Sequence, residues 1–189
     1  MLQSIRHNFA NLLRFSGRDS RATFWPWAIG VYLLSMLLGF VIVLPLLGEM
    51  MQRMAAYAQA HPGGFPPPQP GKSPFPPELM PDFSRLAVPM ALVQLLTTFL
   101  WAAAAVRRLH DRDWSGWWAL IFLPFQVAGI ALGPAAMRGM LGGATEPTPL
   151  MRVASLNTAC YWIAFIGLLV ILAGSGTPGP NRYGEPPPA

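Results

Sequence analysis

The sequence predicts an all-α integral membrane protein. It should be a four-transmembrane-helix bundle with an N-terminal amphipathic helix and a Pro-rich extracytoplasmic loop. Three observations predict this class. Hydrophobic residues make up 53% of the 189-residue chain and charged residues only 11%, against about 25% charged in soluble domains. The apolar residues gather in four long blocks without a charged side chain, and the charge lies between them. Each block exceeds the roughly 18 residues that mark a candidate spanning helix. This pattern excludes a soluble enzyme and a disordered chain. The single cysteine, Cys160, excludes a disulfide-stapled secreted domain and reads as a small lipid- or helix-facing residue.

The elements follow in chain order. Residues 1–21 form a cytoplasmic amphipathic segment. Leu2, Ile5, Phe9, Leu12 and Leu13 recur at helical spacing, with Arg6, Asn11 and Arg14 off that face, the pattern of a short basic helix lying in the headgroup region. Residues 22–187 form one membrane domain. Its first charge-free block, Ala22 to Gly48, has 27 residues, enough for about 40 Å of helix at about 1.5 Å per residue. It reads as a span over about 23–47, with Pro45 near its end. Four arginines precede it, but the block is far longer than the roughly 7–15 residues of a cleaved signal core.

The following loop contains nine prolines between His61 and Pro81. Proline at that density blocks both helix and sheet, so 61–81 is expected to be extended and disordered. The second span is expected at about 86–106. A tight turn from Arg107 to Asp113 should join it to a third span at about 114–136, which Pro124 should kink. The fourth span is expected at about 153–173.

Orientation follows from Lys and Arg. Four spans put the N-terminal segment, the 107–113 turn and the tail on one side, with eight basic residues against five on the other. The positive-inside rule then places both termini in the cytoplasm. Six of the seven tryptophans, at 25, 27, 101, 114, 117 and 118, lie toward that side, as an interfacial aromatic belt would. Basic residues outnumber acidic ones 13 to 8. In this setting the excess points to anionic lipid headgroups and not to nucleic acid.

Three short motifs fall on the predicted cytoplasmic side. One is Gly17-Arg18-Asp19-Ser20-Arg21, followed by Phe24-Trp25. The second is Arg107-Arg108-Leu109-His110-Asp111, followed by Ser115-Gly116-Trp117-Trp118. The third is Gly179-Pro180-Asn181-Arg182-Tyr183-Gly184-Glu185-Pro186. In this set and order, from about residue 10 to 187, the chain resembles the YhaH-like bacterial inner-membrane proteins, domain-of-unknown-function family 805. The resemblance implies a multi-span protein of the bacterial plasma membrane and implies no activity.

The motifs themselves predict one cytoplasmic polar cluster of Arg18, Arg21, Arg107, Arg108, His110, Asp111, Asn181, Arg182 and Glu185. In it Arg107 or Arg108 should pair with Asp111 or Glu185, and His110 should hydrogen-bond within the turn. No nucleophile motif, phosphate-cradling glycine loop or metal signature is present, so no cofactor and no enzymatic activity are expected. The function expected is a structural or regulatory membrane component whose Arg-rich face binds anionic lipid, a membrane-protein partner or a second copy of the chain. The alternative is a small transporter or channel subunit. Proton- or ion-coupled carriers usually place a carboxylate within the membrane, and the four blocks contain none.

Overall fold

The structure, a computed structural model, describes residues 2–65, 76, 79, 81–141 and 147–187. Its helices are α1 (Leu2–Ala10), α2 (Arg21–Ala60), α3 (Ala87–Asp111), α4 (Leu123–Leu141) and α5 (Pro149–Ala173). Short 3-10 turns at Phe83–Leu86 and Gly116–Leu120 lead into α3 and α4. Among the described residues, four segments are long and apolar enough to cross a membrane: Arg21–Ala60, Phe83–Asp111, Gly116–Met137 and Pro149–Ala173. Most of the Pro-rich segment expected at 61–81 lies outside the described residues.

Side-chain caps start the helices. Ser20, with an extended backbone, accepts from Thr23 N at 3.2 Å and opens α2. Thr148 does the same for α5 through Met151 N, with Pro149 at the first turn, where its missing N–H is no loss.

Several boundaries differ from the expectation. The helix begun by the first apolar block does not end near Gly48. It runs 40 residues to Ala60, because Met50 to Ala60 are mostly strong helix formers although less apolar. A Glu49–Arg53 pair at i,i+4 supports the extension. Pro45 therefore lies inside the helix and not near its end. Pro124 is the second residue of α4, so it starts that helix and does not kink it. The motif expected as a turn is helical to Asp111, and this seats Arg107, Arg108 and Asp111 on one rigid turn. The fourth helix begins four residues before the expected start, at Pro149.

Burial is concentrated at one end of the bundle. The first turns of α2, the last turns of α3 and α5 and the entry to α4 all lie there. Phe24, Trp27 and Val31 pack with Ala104, Ala105 and Leu109, with Ala119 and Phe122, and with Leu168 and Leu172. The run Ala103-Ala104-Ala105 is fully buried, and small residues there let helix backbones approach closely. Trp101 stands edge-on to Phe24 and Phe122, and Trp27 donates its indole N–H to the Leu100 carbonyl at 3.0 Å. Most of the remaining apolar side chains on the spans face outward, as lipid-facing residues must.

Helix α1 packs onto the start of α2 through its polar side. Asn8 and Ser4 are buried, and both donate to the Thr23 carbonyl. Of the apolar set, Ile5 and Leu12 join the core, whereas Leu2, Phe9 and Leu13 stay exposed.

Candidate functional site: an arginine–aspartate lattice at one end of the bundle

Directly against this core lie the charged groups of the motifs, several of them as buried as the apolar residues. Arg18, Asp19, Arg107, Arg108 and Asp111 are each at most 8% exposed. A charge in such a place is tolerated only if paired and fully hydrogen-bonded.

Two carboxylates organise the lattice. Asp111, at the end of α3, receives Arg18 at 3.0 Å on Oδ1 and Arg108 on Oδ2. Asp19, in the link between α1 and α2, receives Arg107 at 2.8 Å on Oδ2, and His7 Nε2 lies 3.0 Å from its Oδ1. The cations are saturated to match. All five N–H donors of Arg18 are used: two bonds reach Asp111, and the others reach the carbonyls of Thr177, Gly179 and Gly184. Arg107 also donates to the Asn11 and Arg14 carbonyls and to Asn8 Oδ1. Arg108 also donates to the carbonyls of Asp19, Leu172 and Gly174. Arg112 donates to the Ile171 carbonyl. Arginine suits this task because its planar fork serves several acceptors at once and stays charged.

The tail closes the lattice from below. Thr177 N donates to the Asp111 carbonyl at 2.9 Å, and Asn181 donates to the His110 carbonyl at 2.9 Å. Asn181 and Gly184 exchange backbone bonds in a tight turn, with Gly184 at φ +119°, a conformation glycine adopts without strain. The Tyr183 ring stacks on the His110 ring, with centroids 3.7 Å apart and an interplanar angle of 7°.

Two glycines after α5 lie close against charged groups. A Cβ at Gly176 would overlap the Asp111 carboxylate, and one at Gly174 the Arg112 guanidinium.

The structure thus gathers Arg18, Arg107, Arg108, His110, Asp111 and Asn181 of the expected cluster. The others stand outside its buried part. Arg21 and Glu185 are exposed, and Glu185 takes no part in the ion pairs among the described residues. Arg182 forms a surface pair with Asp113 at 3.1 Å. The His110 carbonyl accepts from Asp113 N within the turn at 3.0 Å, but its side chain reaches elsewhere. Its Nδ1 lies 3.3 Å from the Gly17 carbonyl, across the bundle end. The expected Arg108–Asp111 pair forms, while Arg107 selects Asp19 and Asp111 takes Arg18 as a second arginine. Asp19, Asn8, Arg112 and Thr177 are lattice members that the expected cluster lacked. Asp19 had a signal, since it sits inside the first motif. Asn8 joins through its side-chain Oδ1, which accepts from Arg107, and Arg112 and Thr177 act through backbone contacts that composition does not reveal.

Among the described residues, no three His, Cys, Asp or Glu side chains gather as a metal site would require. Chemically the lattice is closed. Its donors and acceptors satisfy one another, and it ties the α1–α2 link, α3, α5 and the tail into one unit.

Comparison with known proteins places this architecture. The family model described as "Protein of unknown function (DUF805)" matches residues 12–185. The inner membrane protein YhaH of Escherichia coli strain K12 is 31% identical over 96 residues, which cover 49% of this chain and 47% of that protein. The inner membrane protein YhaI of the same strain is 33% identical over 100 residues, 52% of this chain and 53% of that protein. The chain spans about half the length of the curated relatives it matches. No solved structure matches.

Proposed function

The chain belongs to the DUF805 family of proteins of unknown function, and on that footing we propose that it is a structural or regulatory component of the bacterial inner membrane, without catalytic activity, whose lattice end faces the cytoplasm and binds anionic lipid headgroups. One observation carries this reading. The buried arginines spend their donors inside the protein, whereas Arg6, Arg14 and Arg21 remain exposed around the same end, with no ion pair among the described residues. The lattice is then the rigid platform, and the outer arginines are the lipid contacts.

The apolar groups beside them fit the same role. Leu2, Phe9, Leu13 and Phe15 are exposed on or just after α1, and Trp117 is 79% exposed at the entry to α4. A basic rim with outward aromatic and aliphatic side chains suits the boundary between phosphates and acyl chains. In this reading α1 lies along the interface while its polar side grips α2. The charge asymmetry of eight basic residues to five supports a cytoplasmic placement of this end.

The experiment is lipid retention by the purified protein in nanodiscs of defined phosphatidylglycerol and phosphatidylcholine content. Wild type should enrich phosphatidylglycerol. The triple variant Arg6→Gln, Arg14→Gln, Arg21→Gln should lose that enrichment and keep its melting temperature. Equal enrichment by both proteins would remove the lipid-binding role from this rim.

A further inference from the structure

One side of α2 carries its burial. Val31, Leu38, Ile42 and Leu46 are buried or half-buried along that side. On the opposite side Leu37, Phe40, Leu44, Leu47, Met51 and Met54 are all exposed, and exposed Ala58 continues the row. The steps between these positions alternate between three and four residues. The row is therefore an apolar repeat of 3.5 residues held for three heptads, the a and d pattern of a coiled-coil seam and not the 3.6 of a solitary surface helix. Pro45 lies off the row.

A bilayer accounts for the first part of this seam and not for the last. Counted from Arg21 at about 1.5 Å per residue, Met51 lies roughly 45 Å along the helix and Met54 roughly 50 Å. A bilayer with its headgroups is only about 40–45 Å thick. Met51 is nonetheless 71% exposed and Met54 38%, where acyl chains do not reach to cover them. A helix end without a packed apolar face also gains little stability of its own. The nearby charges point elsewhere. Glu49 pairs with Arg53 and Arg85 on the other side of the helix, so the seam offers no charge to an oppositely charged partner.

We propose that this face of α2 is an interface between two copies of the chain, whose α2 helices pack in parallel as a left-handed coiled coil from Leu37 to Ala58. A second copy suits the seam better than an unrelated partner does. Every copy inserts α2 in the same direction, so two copies present identical rows in parallel, as a two-fold interface requires. An uncharged row of a and d positions is complementary to itself. The exposed parts of the row amount to roughly 600 Å² per copy, so a pair with its flanking residues reaches the range of about 1,200–2,000 Å² of a specific interface. The dimer does not depend on lipid binding by the basic rim, which lies at the other end of α2.

The test uses the full-length protein in membranes, with Cys160→Ser as the background and one new cysteine per variant. Met51→Cys, Met54→Cys and Ala58→Cys should form cross-linked dimers on mild oxidation. Gln52→Cys, Ala56→Cys and Gln59→Cys, which lie off the seam, should stay monomeric. In nanodiscs, mass photometry should count two copies of wild type. Met51→Glu with Met54→Glu should reduce the count to one and keep the helix content, because in a single copy both positions face water. Cross-linking at none of the six positions, equal cross-linking at all of them, a wild type of one copy, or a double glutamate variant that still pairs would each overturn the proposal. Failure of all six cysteines to cross-link would assign the cover of this face to lipid or to another part of the same chain.

Discussion

Arg18 and Asp111 lie 93 positions apart in the chain and meet at 3.0 Å, with their side chains 1% and 4% exposed. The same carboxylate also holds Arg108, so one acid joins the link before α2 to the last turn of α3. Removing either partner strands a buried charge, the costly case for an ion pair.

Arg18→Ala and Asp111→Ala should each destabilise the protein by about 3–5 kcal/mol. The double variant should cost clearly less than the sum, because the two residues serve one network. Melting temperatures of all four proteins in one detergent check this. Strict additivity would mean that the two side chains act independently.

Arg182→Ala should behave differently. Its sequence motif groups it with the buried arginines, but its side chain is 59% exposed and its partner Asp113 is 46% exposed. A surface pair of this kind is worth about 0–1 kcal/mol and weakens with salt. The melting temperature should barely move. A fall comparable to that of Arg18→Ala would show that the tail is held through Arg182.

Gly176→Ala should destabilise by about 1–3 kcal/mol, the usual cost of forcing a methyl group into filled space, since the new methyl would displace the Asp111 carboxylate. Gly167→Ala, in α5 with nothing within 4 Å of its new methyl, is the control and should be near neutral or stabilising. Similar melting temperatures for the two variants would mean that the tail moves aside at no cost.

The proposed orientation is checked with topology reporters. A fusion at the C-terminus should be active in the cytoplasm, and one inserted after Gly64 only outside it. Periplasmic activity at the C-terminus would reverse the bundle and place the basic rim on the other leaflet.

Much of the fold was legible because a bilayer imposes a simple rule: a long run without charge becomes a helix. Leu86–Val106 and Val153–Ala173 lie almost wholly within α3 and α5. The end of α2 was not legible in the same way. Hydropathy falls after Gly48, but Gln52, Ala55, Ala56, Ala58 and Gln59 retain strong helix propensity, and propensity prevails there. Pro124 was misread for a related reason. Continuous apolar character hides the break at Trp114–Phe122, where a 3-10 turn precedes α4.

For the lattice, topology alone placed the motifs at one end of the bundle, so their proximity could be read. Their register could not. Which acid meets which arginine depends on the rotation of α3, which buries Leu109 in the same core cluster as Phe24, Leu168 and Leu172. The heaviest users of Arg18 and Arg108 donors are main-chain carbonyls, which every residue carries and no motif distinguishes.

The tail contacts of Arg18 also set an order of events during synthesis. Thr177, Gly179 and Gly184 follow α5 in the chain, so they leave the ribosome after α1 to α5. Until then Arg18 lacks three of its acceptors and Asp111 lacks its contact with Thr177. The four spans must therefore be made before the latch between the α1–α2 link and the tail can shut.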